Sequence, residues 1–400
     1  MRVDRKYNIC IIATHPIQYY VPWYQALARH AQINLKVFYC HQQTAQQQAQ
    51  AGFGVDFDWD ISLLEGYNFK FLKNKSKHPN VSKFFGCNTP EIAQIINENL
   101  FDAVIVHGWN ILSFWQAIVT CWKKQTPVFI RGDSYLLSNR FFLKRWLKYP
   151  LYRWFIPKFD GYLVVGECAK EYYLYYGADK KKMFFVPHAV DNDFFALKSA
   201  AFFPEKNYLR KSWDIPESAI VFIFAGKLIA KKRPFDFLKA LKLPSEQNNR
   251  IFGLVVGDGP LRSELEEFSK NNKLPVKFTG FLNQQEMPKA YVVADVLILP
   301  SDIGETWGLV VNEAMACGLP VVVSDRVGCA LDLVGKLNAE NIFNCGDIKA
   351  LANIIEELSA NPMQIVNLGF SAKEFIKQYT INSAVNGLLQ ALQFACGDNK

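Results

Sequence analysis

Residues 297–325 read LILPSDIGETWGLVVNEAMACGLPVVVSD. An apolar run ends at Pro300, and a polar loop covers Ser301 to Trp307. A helical pattern begins near Gly308, with Thr306 as its expected N-cap; Gly318 stops it and Pro320 opens the next apolar run. Strand, loop, helix and strand in that order make one βαβ unit. Its helix start lies at the C-terminal edge of a sheet. The unpaired amides of Gly308, Leu309 and Val310 there suit an anion such as a diphosphate.

The same alternation extends outward in both directions. ICIIA (9–13), LKVFYC (35–40), DAVIVHG (102–108), PVFIRG (127–132) and GYLVVG (161–166) lie in the first half. AIVFIFAG (219–226), IFGLVVGDG (251–259), DVLILP (295–300) and LPVVVSD (319–325) lie in the second. Continuous Val, Ile, Leu and Phe mark strands buried on both faces, as in parallel sheets covered by helices. The pattern occurs twice, which predicts an α/β protein with two doubly wound, Rossmann-like domains. Residues 190–218 lack clean periodicity and hold two prolines, so the linker is placed there. Residues 363–396 are helical by pattern. No internal repeat occurs, and QQTAQQQAQ (42–50) reads as a loop or frayed helix.

Composition narrows the class. With 400 residues, half of them hydrophobic, two cores are comfortable. The nine cysteines are scattered without a CxxC pair, which predicts neither a disulfide scaffold nor a zinc site, and a reducing cytoplasm. The opening apolar run stops at His15 and Pro16, too short for a secretory leader. No run of about 18 apolar residues predicts a membrane span. The net charge is +8, with 23 Lys/Arg against 15 Asp/Glu in residues 1–195 and 22 against 22 in residues 196–400. The excess in the first half favours an anionic partner there.

Two carboxylates frame the helix start, Glu305 in the loop and Glu313 one turn inside. If both were helical they would stand about 12 Å apart along the axis. Glycoside-hydrolysing pairs need roughly 5–9.5 Å, which weighs against hydrolysis. A carboxylate beside a phosphate site can instead accept from sugar hydroxyls. The plainer alternative is an N-terminal glutamate held by the helix dipole.

The Glu-x7-Glu pattern in ETWGLVVNE, followed by AMACGLPVVVSD, resembles the retaining glycosyltransferases of family 4, which have the GT-B fold. AGKLIAKKRPFDFLKAL (225–241) resembles that family's Gly-Arg-Leu-x-x-x-Lys element, and VGDGPLRSELE (256–266) and VKFTGFLNQQEMPKAYVVADVLILPS (276–301) resemble the segments after it. The resemblance covers most of residues 160–375. It implies two domains facing across a cleft: an acceptor domain over 1–195, a nucleotide-sugar domain over 196–375, and a C-terminal helix over 376–400 returning to the first. It assigns Lys227 and Lys232 to the donor diphosphate, Glu313 to its ribose, Glu305 to the transferred sugar, and the Leu309 and Val310 amides to the phosphates. Gly226, Asp258 and Gly308 join the donor set. Lys227 stands where the family has Arg, so a bidentate fork becomes a point charge. Arg233 stands where Gly is common.

In the first half, His107 ends a predicted strand, at the edge where α/β domains bind ligands. The resemblance adds a His there beside the donor sugar, as a catalytic residue with Glu305. Arg131 and Asp133, in FIRGDS, either contact the acceptor or form an internal ion pair. The turn THPIQYY (14–20) lacks the glycines of a phosphate-binding turn. Pro16 suits a first helical position. His15, Gln18 and Tyr19 are expected to meet acceptor or sugar.

Residues 134–159 carry six Lys/Arg, no acid and nine aromatics. On a helix up to Pro150, Arg140, Lys144, Arg145 and Lys148 fall on one side; Phe142, Leu143, Trp146 and Tyr149 fall on the other. That pattern fits a helix in an anionic membrane interface, or an amphipathic helix whose aromatic face packs on the sheet. No nucleic-acid motif accompanies the charge.

The expected protein is therefore a retaining, metal-independent glycosyltransferase without a cofactor. It is cytoplasmic or peripheral at the inner membrane. It takes a UDP-linked sugar to a lipid-linked or polysaccharide acceptor in bacterial surface-glycan assembly, such as lipopolysaccharide. A nucleotide-sugar 2-epimerase would convert donor without acceptor. A non-catalytic nucleotide-sugar-binding protein would tolerate loss of Glu305 and His107.

Overall fold

A computed structural model describes residues 5–42, 59–136 and 142–397, and the side chains of 142–144 are left aside. The chain forms two compact units. Among described residues, unit 1 comprises 5–42, 62–188 and 381–397, and unit 2 comprises 59–61 and 189–380.

Unit 1 is built on a parallel sheet of β1 (Tyr7–Ala13), β2 (Ile33–Tyr39), β3 (Phe69–Phe71), β4 (Ala103–Val106), β5 (Val128–Gly132), β6 (Gly161–Val164) and β7 (Met183–Phe185). Their order is β3-β2-β1-β4-β5-β6-β7. The apolar residues of β1 alternate between two cores. Cys10 and Ile12 face one helical layer; Ile9 and Ile11 face the other. A strand that buries both faces needs a continuous apolar sequence, which ICIIA supplies. The last helix, Ile381–Ala395, belongs to the second of these layers through Ala384, Val385, Leu388, Ala391 and Leu392. It approaches β7 so closely that a Cβ on Gly387 would lie 1.9 Å from the Phe185 carbonyl oxygen.

Unit 2 repeats the plan with β8 (Ile220–Ala225), β9 (Ile251–Val256), β10 (Val276–Gly280), β11 (Val296–Leu299), β12 (Val321–Ser324) and β13 (Ile342–Phe343), ordered β10-β9-β8-β11-β12-β13. Its strand pairs are also parallel. Two doubly wound domains of the GT-B type are thus in place. In each sheet the chain order reverses once, between β1 and β4 and between β8 and β11. Ligands of open α/β sheets sit beyond the strand C-termini at such a switch point.

Three expectations need correction. The stretch 190–218 is not a loose linker. It holds the helices Asn192–Phe202 and Lys206–Ser212, the first capped by Asp191 Oδ1 accepting from the Phe194 amide at 2.9 Å. Buried Phe195 and Arg210 anchor it, with Arg210 paired to Asp295 at 2.7 Å, so its irregular apolar spacing reflects packing rather than exposure. The break between units accordingly falls at 188/189 instead of 195/196, and the later one at 380/381 instead of 375/376. Pro16 does not open the first helix. Residues 17–20 form a turn closed by the Tyr20 amide on the Ile17 carbonyl, and the helix runs Val21–Arg29 with Pro22 in its first turn. Thr306 is not an N-cap either. Gly308 takes that position at φ +99°, and a Cβ there would lie 2.9 Å from Leu299 Cδ2. Backbone at positive φ pressed on a core leucine requires glycine.

Candidate active site

Unit 2 gathers its charged groups at the switch between β8 and β11. After β8, Gly226 turns the chain at φ +151°, and Lys227, Lys231 and Lys232 follow. After β11, the loop 301–307 carries Ser301 and Glu305. Backbone bonds hold the two loops together: the Asp302 amide donates to the Lys231 carbonyl at 2.8 Å. The Lys232 ammonium contacts the Glu305 carboxylate, which also accepts from Ser301 Oγ at 3.3 Å. Both side chains are largely buried, so the pair has a defined geometry instead of a solvated average.

Burial pushes the Lys227 ammonium down to about 8, with Lys231 and Lys232 adding to the fall and Glu305 opposing it. Its ordinary value is 10.5. The unfolded chain therefore keeps this proton over a window where the folded one has lost it. Folding stability rises with pH between about 8 and 10.5. A bound diphosphate reverses the preference, because it favours the charged ammonium. UDP affinity should be flat below about pH 7.5 and fall by up to about tenfold per pH unit above 8. Calorimetric titration at pH 7 and pH 9 checks this; equal affinities would remove Lys227 from the diphosphate site.

The helix Leu309–Ala316 begins beside these groups, with Leu309 and Val310 at its first positions. Glu313 is buried one turn inside and accepts from Tyr291 Oη at 2.6 Å. Asp258 accepts from the Gly259 amide at 2.7 Å and pairs with Arg262 at 2.5 Å; its own carbonyl receives the Leu228 amide. It braces the turn after β9 against the turn after β8. Arg233, where glycine is common in the resembling family, takes φ +51°. Its Nε donates to Asp236 Oδ2 at 2.6 Å, which offsets the strain of a side chain in that region.

Unit 1 shows the same arrangement at its switch between β1 and β4. His107 follows β4, and Tyr24 Oη lies 3.1 Å from its Nε2. Tyr20 stacks on its ring at 4.7 Å. Burial, then the positive Arg131 and the neighbouring His188, hold His107 well below the usual histidine range, so it is neutral at physiological pH. His15 lies half-buried after β1 with Thr14 Oγ1 2.9 Å from its Nδ1; burial, then His41, push it to about 4. Gln18 and Tyr19 lie half-buried in the turn that follows. The register Val106↔Ile130 sets Arg131 level with His107 on the next strand. Arg131 is buried over Tyr20 and Trp23 and donates from Nη2 to the Pro187 carbonyl at 3.2 Å. The internal Arg131–Asp133 pair does not form; Asp133 Oδ2 lies instead 3.8 Å from His188 Nε2.

Residues 205–375 match the model of the glycosyl transferases group 1. The match covers less than half of the chain. It contains every donor-side residue named above. The chain is 31% identical over 193 residues to a 2-deoxystreptamine glucosyltransferase of Streptomyces kanamyceticus, covering 48% of each protein. The chain spans about half or less of the length of the curated relatives it matches. Solved structures resemble it over nearly the whole chain in fold. A glycosyltransferase from Rickettsia africae superposes with TM-score 0.75 at 17% identity, over 98% of this chain and 99% of that one. The Anabaena HepE protein in complex with UDP and glucose gives 0.69 at 16%, over 97% and 99%.

Several residues escaped the sequence reading. Lys231, Ser301 and Tyr291 support the group 1 site, and Tyr20, Trp23, Tyr24 and His188 surround His107 and Arg131. His188 follows β7, a strand of three residues whose apolar run ends at Val186 and is shorter than the runs of the central strands.

Proposed function

We propose that the protein is a retaining glycosyltransferase whose unit 2 holds a nucleoside-diphosphate sugar, UDP-linked, and whose unit 1 holds the acceptor. The observation that carries this reading is the Lys232–Glu305 contact at the β8/β11 switch point, beside the Leu309–Ala316 helix start. Lys227, Lys232 and the Leu309 and Val310 amides neutralise the diphosphate as its bond to the sugar breaks. Those groups supply the positive charge, and the reading assigns no metal to the step. Glu313 holds the ribose, oriented by Tyr291. Glu305 accepts from hydroxyls of the transferred sugar, and His107, neutral, is kept as the catalytic candidate of unit 1. The anomeric carbon leaves the phosphate oxygen and bonds the acceptor oxygen on the same face. The acceptor proton passes to the departing phosphate. The HepE complex with UDP and glucose supports UDP as the nucleotide.

A thermal-shift panel of UDP, GDP, ADP and their sugars tests the donor assignment. Specific stabilisation by UDP and one UDP-sugar is expected; a panel in which no nucleotide raises Tm would overturn it. Proton NMR of the product tests stereochemistry, and an inverted anomeric configuration would contradict retention.

The acceptor is proposed to be a lipid-linked or polysaccharide glycan of bacterial surface assembly, reached at an anionic membrane face. The helix Phe142–Phe155 supports this. Trp146, Leu147, Leu151 and Trp154 are each more than half exposed, while Phe155 fills the core. The aromatic face therefore does not pack wholly on the sheet. Arg145 sits over Tyr175, Lys158 over Trp154 at 3.5 Å, and Lys148 is exposed. Arg140 and the Lys144 side chain lie outside the described residues. Exposed indoles flanked by bases suit a peripheral contact. No helix among the described residues is long and apolar enough to cross a membrane. Flotation with vesicles containing phosphatidylserine should recover the protein, and W146A/W154A should lose most of that recovery. Equal recovery with neutral vesicles would contradict the contact.

A further inference from the structure

Arg131 is 3% exposed, yet among the described residues no carboxylate pairs with it. Its polar neighbours are the Pro187 carbonyl and the Tyr20 hydroxyl, and its charge rests on the rings of Tyr20 and Trp23 at 5.1 and 5.0 Å. Its Nε has no acceptor. Two further buried donors nearby share that state. Trp23 Nε1 belongs to the ring under the guanidinium. Tyr173 Oη lies 3.2 Å from where a Cβ on Gly132 would stand. Each unsatisfied buried donor is destabilising, and a buried cation without a counter-charge is more so. Burial also holds the neighbouring His107 and His188 toward their neutral forms, so neither adds lasting charge; Asp133, the remaining acid of the cluster, is turned to His188.

We propose that this cluster is an oxyanion subsite, in which Arg131, Trp23 and Tyr173 receive a phosphate or carboxylate group of the acceptor. A guanidinium and neutral donors match either group. The inference rests on reading unit 1 as the acceptor-binding unit, and it adds the chemical class of that acceptor. The level register of His107 and Arg131 places the anion one strand away from the group assigned to the reacting sugar. The accepting hydroxyl then belongs to an anionic glycan or a sugar phosphate, with the charge close to the new bond. Sugars that lack such a group leave the guanidinium unpaired and are poor acceptors.

The test uses the full chain saturated with UDP, so that the donor lysines are occupied. Inorganic phosphate and glucuronate are titrated separately, followed by calorimetry and by the fluorescence of the tryptophans. One of the two should bind saturably at millimolar concentration, which identifies the class, and glucose should not compete. R131M keeps the stem over Tyr20 and Trp23, and should weaken the anion at least tenfold while leaving UDP affinity as in wild type. Y173F should weaken it about threefold and provides the readout if R131M fails to fold. Absence of binding by both anions would overturn the proposal, and so would wild-type anion affinity in R131M or in Y173F. Failure of UDP to bind would count against the donor reading alone, because the anion titration is then repeated without UDP.

Discussion

Replacing Lys232 by alanine lowers turnover about 10²–10³-fold, corresponding to roughly 3–4 kcal/mol of transition-state stabilisation. In the proposed reaction the charge on the departing diphosphate grows as the sugar bond breaks, and Lys232 is a largely buried ammonium fixed against Glu305. Its removal also strands the Glu305 carboxylate, which keeps the Ser301 hydroxyl as a donor at 3.3 Å. A buried carboxylate left without its cation is itself costly. The loss should therefore appear in kcat, with a smaller change in donor KM. K232R should recover part of it, since the charge returns with different geometry. Initial rates of transfer, or of slow donor hydrolysis, measure this. A variant within threefold of wild type would remove Lys232 from the reaction.

Gly257→Ala should lower Tm by about 10 °C and abolish measurable UDP binding. The residue holds φ +131°, and a Cβ there would stand 2.0 Å from the Gly226 carbonyl oxygen. The Gly226 amide is bonded to Val256, and the Gly257 amide to Gly280, each at 2.9 Å. Neither turn can move without breaking a sheet-edge bond. Clash and backbone strain together cost about 3–5 kcal/mol, and each kcal/mol shifts Tm by about 2–4 °C in a unit of this size. Because Gly226 directly precedes Lys227, the displaced turn also carries a donor lysine away. Thermal denaturation and UDP calorimetry on the same sample would separate the effects. A variant that melts like wild type would show the turn to be compliant.

The central strands were legible because they bury both faces. All nine apolar runs correspond to strands, from β1 through β12. The four strands that escaped, β3, β7, β10 and β13, are the outermost of each sheet. These edges are only two to five residues long, and their apolar runs are short or broken by a polar residue, so periodicity has little to detect. The same cause hid His188, which follows β7. Helix starts misled for a different reason. Thr306 and Pro16 are sound local signals, but the chain instead places Gly308 against Leu299, and a turn at 17–20 ahead of the first helix. Those choices are tertiary. Lys227, Lys232, Glu305 and Glu313 were picked out by the resemblance to family 4, and their roles stand as proposals. The Lys232–Glu305 contact between two loops, and the unpaired state of Arg131, follow only from the fold.

The central claim is that unit 2 holds a nucleoside diphosphate by lysine charge and helix amides at the β8/β11 switch point. Calorimetric titration of UDP into wild type and K232A, in EDTA at pH 7, tests it most directly. One UDP per chain with micromolar affinity, weakened at least tenfold in K232A, is the predicted result. Absence of UDP binding to wild type, or equal affinity in the two proteins, would contradict it.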